Sequence, residues 1–171
     1  TVYFTSSIFM VLLTILVWKM IPGEDPAFKG GYKKLMKSLF QLFKEQQIIR
    51  ESALIGASLF GAISAFLSTM AFFLEKPPFQ YSLKVIGVFG IIGTGGALIS
   101  PIVGRLSDSY GPFKPMRFGI IMMLVGYIVL LEGTRGITLV IAGIILIDMG
   151  LQSTHIPNLS RNYALLPEAR T

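Results

Sequence analysis

The residues best suited to chemistry lie in the last apolar run of this 171-residue sequence, where Asp148, Gln152 and His155 interrupt aliphatic side chains. If this run is helical, each residue turns by about 100°, which places Gln152 and His155 about 40° and 20° from Asp148, on opposite sides. All three then share one narrow face. A carboxyl group there can carry a proton, an amide can hydrogen-bond its charged or neutral form, and an imidazole can relay the proton through water.

The depth of Asp148 in its run strengthens this interpretation. The run begins near Ile137, so Asp148 lies roughly 16 Å along a helix that rises about 1.5 Å per residue. That is near the centre of a hydrocarbon core about 30 Å thick. A carboxylate at that depth costs about 2.5–3.5 kcal/mol on insertion scales, so we expect it to face a water-filled cavity or a partner. We predict proton or substrate coupling there; the alternative is a structural hydrogen bond to a neighbouring helix.

Composition indicates a membrane protein and excludes several other classes. Hydrophobic residues make up 53% of the chain and charged residues 14%, with a mean hydropathy of +0.69, whereas soluble domains carry about 25% charge. The net charge is +6, but the basic residues are not interleaved with aromatic residues, which argues against a nucleic-acid partner. The chain has no cysteine, one histidine and no paired carboxylates. We therefore expect no enzymatic activity, no cofactor and no metal site.

Five apolar runs are long enough to cross a bilayer, which takes about 20 residues. Because they are continuously apolar rather than alternating, the fold class is an all-α, polytopic membrane protein. The runs are residues 2–20, 52–74, 83–103, 118–133 and 137–157.

Two of these runs contain further signals. In the second run, small residues at helical spacing mark a close helix contact or a cavity wall, and three larger side chains are candidates to line a hydrophobic substrate path. The small residues are Ala57, Gly61, Ser64 and Ser68; the larger ones are Phe66, Met70 and Phe73. The third run is dense in glycine and contains Pro101, so we expect close approach of a neighbouring backbone and a kink or fraying.

The basic residues predict the orientation of the runs. Twelve of the fifteen lie in or directly beside the first connection, the third connection and the C-terminal tail. The positive-inside rule places those three segments in the cytoplasm and Thr1 outside. The first connection, residues 21–51, contains a predicted amphipathic helix at about 32–47, whose apolar arc is opposite Lys33, Lys37 and Lys44. We expect this helix to lie in the membrane interface beside anionic headgroups.

A short polar segment joins the third and fourth runs. Gly104 and Gly111 are expected to provide the backbone freedom for a tight reversal, and Pro112 to prevent a helix from continuing. Asp108 can accept hydrogen bonds from a helix N-terminus or pair with a basic side chain. Arg105 and Lys114 flank it. A generic basic hairpin between membrane helices is the alternative interpretation.

The spacing of Gly104, Asp108, Gly111 and Lys114 resembles the short cytoplasmic loop signature of the major facilitator superfamily. The family pattern has a basic residue directly after the Asp and more after the second Gly, whereas this sequence has Ser109 there and Pro112 and Phe113 later. This departure fits the degenerate copy of the signature in the C-terminal half of such transporters.

Two further motifs are similar to one branch of the superfamily, the bacterial drug or arabinose-type efflux permeases. They are Asp-x-Gly-x-Gln at 148–152 and Pro-Glu-Ala-Arg at 167–170, with Asn158 and Arg161 between them.

The resemblance implies a fragment that spans about helices six to ten of twelve and is inactive alone. Residues 21–51 would be the central loop between the two halves. It also implies proton-coupled export of a small molecule by alternating access in the bacterial inner membrane. The missing N-terminal half would be a partner, and Asp108 would hold a conformational lock. The alternatives are a non-transporting scaffold or receptor, which has no use for a carboxylate at mid-membrane depth, and an uncoupled facilitator.

Overall fold

The computed structural model describes residues 2–20 and 31–164, and all regular structure in those ranges is helical. The helices, joined by short 3₁₀ segments at Thr94–Ile99 and Gly133–Arg135, are α1 (Val2–Met20), α2 (Tyr32–Glu45), α3 (Gln47–Glu75), α4 (Leu83–Gly93), α5 (Ser100–Tyr110), α6 (Phe113–Leu131) and α7 (Ile137–Ala164). This confirms the predicted all-α class. The chain divides into two units, Thr1–Gln41 and Leu42–Thr171.

The first unit contains α1 and most of α2. Helix α1 has the predicted bounds, and its described side chains are exposed along its length, as an apolar helix surrounded by lipid would be. Helix α2 coincides with the predicted amphipathic helix and buries no residue. Residues 21–30 of the predicted central loop lie outside the described residues.

Four of the described helices are long and apolar enough to cross a membrane: α1, α3, α6 and α7. Three helices are longer than the predicted runs. Helix α3 begins at Gln47 rather than at residue 52, α6 begins at Phe113 rather than at residue 118, and α7 ends at Ala164 rather than at residue 157. Helix α7 continues past Pro157, which is fully buried inside it. The predicted end of the last run at residue 157 is therefore wrong, because a buried proline in a membrane helix is accommodated by its neighbours.

The third apolar run is interrupted, contrary to the prediction of one helix over residues 83–103. Helix α4 has only 11 residues, a 3₁₀ segment follows, and α5 starts with Pro101 in its first turn. Proline has no N–H to give and fits the first turn of a helix. The break lies just before Pro101, among the glycines that were expected to permit a bend.

Helices α6 and α7 pack backbone to backbone along a glycine seam formed by Gly119 and Gly126 of α6 and Gly143 and Gly150 of α7. A Cβ atom at Gly126 would lie 3.0 Å from the Gly143 carbonyl oxygen, and one at Gly150 would lie 2.5 Å from the Gly119 carbonyl oxygen. The second distance is shorter than real Cβ atoms show, and the first is tighter than most real Cβ contacts. The seam therefore depends on residues without a side chain, as close helix contacts in membranes often do.

A hydrophobic core joins the last turns of α3, the middle of α4 and the first turns of α7. Leu74, Phe89, Val140 and Ile144 are all buried in it. The small residues of α3 behave differently: Ala57, Gly61, Ser64 and Ser68 are exposed in the described part of the chain. Of the two predicted alternatives, the close helix contact is therefore not made with any described helix of the second unit.

Candidate functional site

Asp148 and Gln152 line one cleft between α3, α4 and α7. The cleft has a volume of about 320 Å³ and a mostly apolar wall. Phe66 and Met70, two of the side chains predicted to line a hydrophobic path, face it from α3, and Phe89 faces it from α4. One helix thus presents a carboxyl and an amide to a space that is otherwise lined by aromatic and aliphatic groups.

Asp148 is half-buried, and its Oδ2 atom is fully buried without a hydrogen-bond partner among the described residues. The backbone of Gly96, in the 3₁₀ segment, lies directly against this carboxyl group, and the Gly96 N–H faces it. An apolar cleft solvates a charged carboxylate poorly. The group is therefore best accommodated when it is protonated, when water enters, or when a positively charged ligand lies beside it.

His155 shares the face of Asp148 but does not line the cleft. Its ring packs edge-on against Phe60 of α3, with 5.1 Å between the ring centroids and 84° between the planes. Its Nδ1 atom is buried without a partner among the described residues. From the helical rise, His155 lies about 10 Å from Asp148 along α7. Any proton transfer between the two side chains therefore needs water.

Polar contacts that the sequence does not predict join α7 to the first turns of α3. The Asn158 side chain donates a buried hydrogen bond of 2.9 Å to the backbone carbonyl of Ser52. Three residues on, Arg161 pairs with Glu51 at 2.9 Å, and its guanidinium group lies 4.8 Å from the centroid of the Phe113 ring. The resemblance to efflux permeases includes Asn158 and Arg161, but nothing in the sequence shows that Glu51 lies opposite Arg161.

The residues of the predicted lock loop are close in sequence but do not form the expected loop. Gly104, Arg105 and Asp108 lie within α5, so the reversal predicted to begin at Gly104 is wrong. The turn is made by Gly111, whose φ of 79° is the left-handed conformation that glycine adopts readily. Lys114 lies in α6, with its Nζ atom 5.0 Å from the centroid of the Tyr110 ring.

Asp108 is exposed in the last turn of α5. A negative charge at a helix C-terminus is unfavourable for that helix. Asp108 therefore does not serve as a cap for α5, and its carboxylate is accessible to a partner from outside the described residues.

The described residues contain no cluster of three or more His, Cys, Asp or Glu side chains that could hold a metal ion. The site therefore consists of single polar groups on α7 that face apolar walls on α3 and α4. The fold and this site together define a multi-pass helical membrane protein with a polar group inside its bundle.

The chain belongs to the Major Facilitator Superfamily, whose family model matches residues 1–170. It is 32% identical over 170 residues to the "Uncharacterized transporter YgaY" of Escherichia coli O157:H7 and to YgaY of strain K12, with 99% of this chain covered. It is 20% identical over 158 residues, 92% of this chain, to the "Probable transporter SCO4007" of Streptomyces coelicolor. The chain spans 43% of the length of the E. coli relatives and 37% of the Streptomyces one. No solved structure matches it.

Proposed function

We propose that this chain is the middle part of a secondary active transporter that exports a small molecule in exchange for protons by alternating access. The Asp148 carboxyl group in the apolar cleft carries this proposal. A carboxyl group that is poorly solvated binds and releases a proton when its surroundings change, which a proton-coupled cycle requires. Membership of a transporter superfamily and the names of the relatives support transport in general.

The roles of the other site residues follow from their positions. Gln152 hydrogen-bonds Asp148 or the substrate in either protonation state, because an amide both donates and accepts. His155 relays the proton through water toward the end of α7 that carries Arg161. The cleft between α3, α4 and α7 forms part of the substrate path, and the half of the transporter outside this chain supplies the rest.

The proposed setting is the bacterial inner membrane, with the Arg161 end of α7 in the cytoplasm. Glu51, Phe113 and Arg161 meet at one end of the bundle, which agrees with the placement of the first and third connections and the tail on one side. In the same proposal, Arg105, Asp108 and Lys114 on the exposed α5–α6 surface dock on the other half and hold one conformation.

An assay that requires no known substrate tests the proposal. Everted membrane vesicles containing the full-length protein are energised by respiration, and acridine orange reports the pH gradient while compounds from a panel are added singly. We expect at least one compound to dissipate the gradient with the parent and not with Asp148→Asn, which retains the size and hydrogen bonding of the side chain but cannot titrate.

The matched control is Glu132→Gln, which removes an exposed carboxylate that pairs with Arg135 in the short α6–α7 connection. It should behave as the parent does. A gradient response that survives in Asp148→Asn contradicts coupling at this residue. A third outcome is that the compound crosses the membrane while neither the parent nor Asp148→Asn gives a pH-gradient response. The protein is then an uncoupled facilitator, and Asp148 only binds substrate.

A further inference from the structure

Gly96 is the residue whose shape determines how the Asp148 carboxyl group lies. It is buried in the 3₁₀ segment that interrupts the third apolar run, directly against α7. A Cβ atom at this position would overlap Oδ2 of Asp148, and would lie 2.6 Å from its Cγ atom and 2.8 Å from its backbone carbonyl carbon. Since one of these contacts is to the backbone, a side-chain rotation alone cannot relieve the overlap.

We propose that Gly96 is a positioning residue for the Asp148 carboxyl group. Because it has no side chain, the 3₁₀ backbone can close over the carboxyl group with its N–H toward it, and the carboxyl group is held at the wall of the cleft. The inference rests on the proposed function, in which Asp148 carries the transported proton, and it identifies the residue outside α7 that sets the surroundings of that proton.

The neighbouring glycines show that this requirement is local. A Cβ atom at Gly95 or Gly90 would meet nothing within 4 Å, and one at Gly93 would make an ordinary contact of 3.9 Å with Ile144. Flexibility of the segment alone would therefore not require glycine at residue 96. Asp148 is also the only titratable side chain that lines the cleft among the described residues of α3, α4 and α7, so no other described group there titrates in its place.

Carbodiimide labelling tests this without a substrate. N,N′-dicyclohexylcarbodiimide is apolar and reacts with protonated carboxyl groups, and mass spectrometry of the peptide that contains Asp148 measures its modification as a function of pH. The full-length protein is compared with Gly96→Ala and with Gly95→Ala, which makes the same chemical change one residue away in open space.

We expect labelling in Gly96→Ala to extend to higher pH by about half a pH unit or more, a roughly threefold change in proton affinity, because the added methyl group displaces the carboxyl group from the backbone N–H that favours its charged form. Gly95→Ala should overlay the parent. A Gly96→Ala curve that also overlays the parent overturns the proposal. Absence of labelling in the parent at every pH overturns it too, since the carboxyl group would then not face the cleft.

A second measurement covers the case in which Gly96→Ala does not fold. In Asp148→Ala, hydrogen exchange of the peptide that contains residues 94–99 should be at least about threefold faster than in the parent, because the segment loses the group it closes over. Unchanged exchange overturns the proposal. The labelling result can be separated from the proposed function. A shifted labelling curve in Gly96→Ala supports the positioning role of Gly96. If Asp148→Asn nevertheless keeps proton coupling, the coupling role of Asp148 is rejected while the positioning role of Gly96 stands.

Discussion

At the scale of single residues, the site depends on one carboxyl group whose surroundings stabilise neither of its forms fully. Oδ2 of Asp148 lacks a hydrogen-bond partner among the described residues, while the cleft beside it is lined by Phe66, Met70 and Phe89. A group meant only to join two helices would have a partner with good geometry, because an unsatisfied buried polar group costs about 1–3 kcal/mol. The site therefore fits a residue that changes partners better than a structural hydrogen bond.

Asp108 gives a prediction that separates the lock from the transport site. Asp108→Asn removes the charge from an exposed residue that does not line the cleft. If the carboxylate engages a helix end of the other half, its loss shifts the balance between two conformations. We expect transport to slow several-fold while substrate affinity stays within a few-fold of the parent, measured as transport rate and equilibrium binding.

The control for this experiment is Ser109→Ala, which changes the exposed neighbour without changing charge. It should transport at the parent rate. A large loss of binding in Asp108→Asn with a normal rate of cycling would contradict the lock and indicate a direct role in substrate binding.

The shared face of Asp148, Gln152 and His155 was predictable because helical geometry alone determines it. The structure brings Asp148 and Gln152 into one cleft, whereas His155 packs against Phe60. Gly96 was not predictable as the contact of Asp148. The sequence contains many glycines in that run, and only the three-dimensional crossing with α7 distinguishes one of them.

At the scale of helices, α6 and α7 pack backbone to backbone along the glycine seam. Its signal in the sequence is the seven-residue spacing of Gly119 and Gly126, and of Gly143 and Gly150. Seven residues are close to two helical turns, so each pair lies on one face. The spacing alone does not show that the face of α6 meets the face of α7, because that contact depends on how the two helices cross.

The seam gives a stability prediction. Gly126→Ala places a Cβ atom 2.8 Å from the Ile147 side chain and 3.0 Å from the Gly143 carbonyl oxygen, so the side chain must shift and the two backbones must move slightly apart. Overpacking of this kind costs about 1–3 kcal/mol. We expect a lower Tm for the full-length protein in detergent, measured by tryptophan fluorescence or by a thiol-independent aggregation assay.

Gly87→Ala is the matched control, since a Cβ atom at Gly87 in α4 meets nothing within 4 Å. Its Tm should equal or exceed that of the parent, because alanine has the higher helix propensity. Equal Tm values for Gly126→Ala and the parent would mean that the seam is not closed in the full-length protein.

The interrupted third run shows where hydropathy is insufficient. A hydropathy window reads residues 83–103 as one span because no residue after Lys84 in this stretch is charged. Whether the backbone stays α-helical depends on local conformation: Gly95 and Gly96 favour a helix poorly, and Pro101 cannot donate a helical hydrogen bond to a preceding turn. The glycines and the proline correctly indicated a bend. Where the bend lies, and that it lies beside Asp148, depends on the packing against α7.

At the scale of the whole molecule, the arrangement of basic residues predicts topology independently of the site. Among the described residues, the start of α3, the start of α6 and the end of α7 meet at one end of the bundle, as the alternating crossing of a multi-pass protein requires. The orientation across the bilayer is the prediction of the positive-inside rule.

Cysteine labelling of intact cells tests that orientation. The chain has no cysteine, so after replacement of any others in the full-length protein a single one can be placed at Ser38 in α2 or at Thr134 in the 3₁₀ turn, both of which are exposed. A membrane-impermeant maleimide should label the Thr134→Cys protein from outside, and the Ser38→Cys protein only after the membrane is opened. The reverse pattern would contradict the topology.

The measurement that tests proton coupling most directly uses a compound identified in the vesicle assay. Full-length parent and Asp148→Asn are reconstituted in proteoliposomes, and uptake is followed with and without an imposed pH gradient. The parent should accumulate the compound only when the gradient is present, while Asp148→Asn should exchange it across the membrane without accumulating it. Gradient-driven accumulation at the parent level in Asp148→Asn would contradict coupling at Asp148.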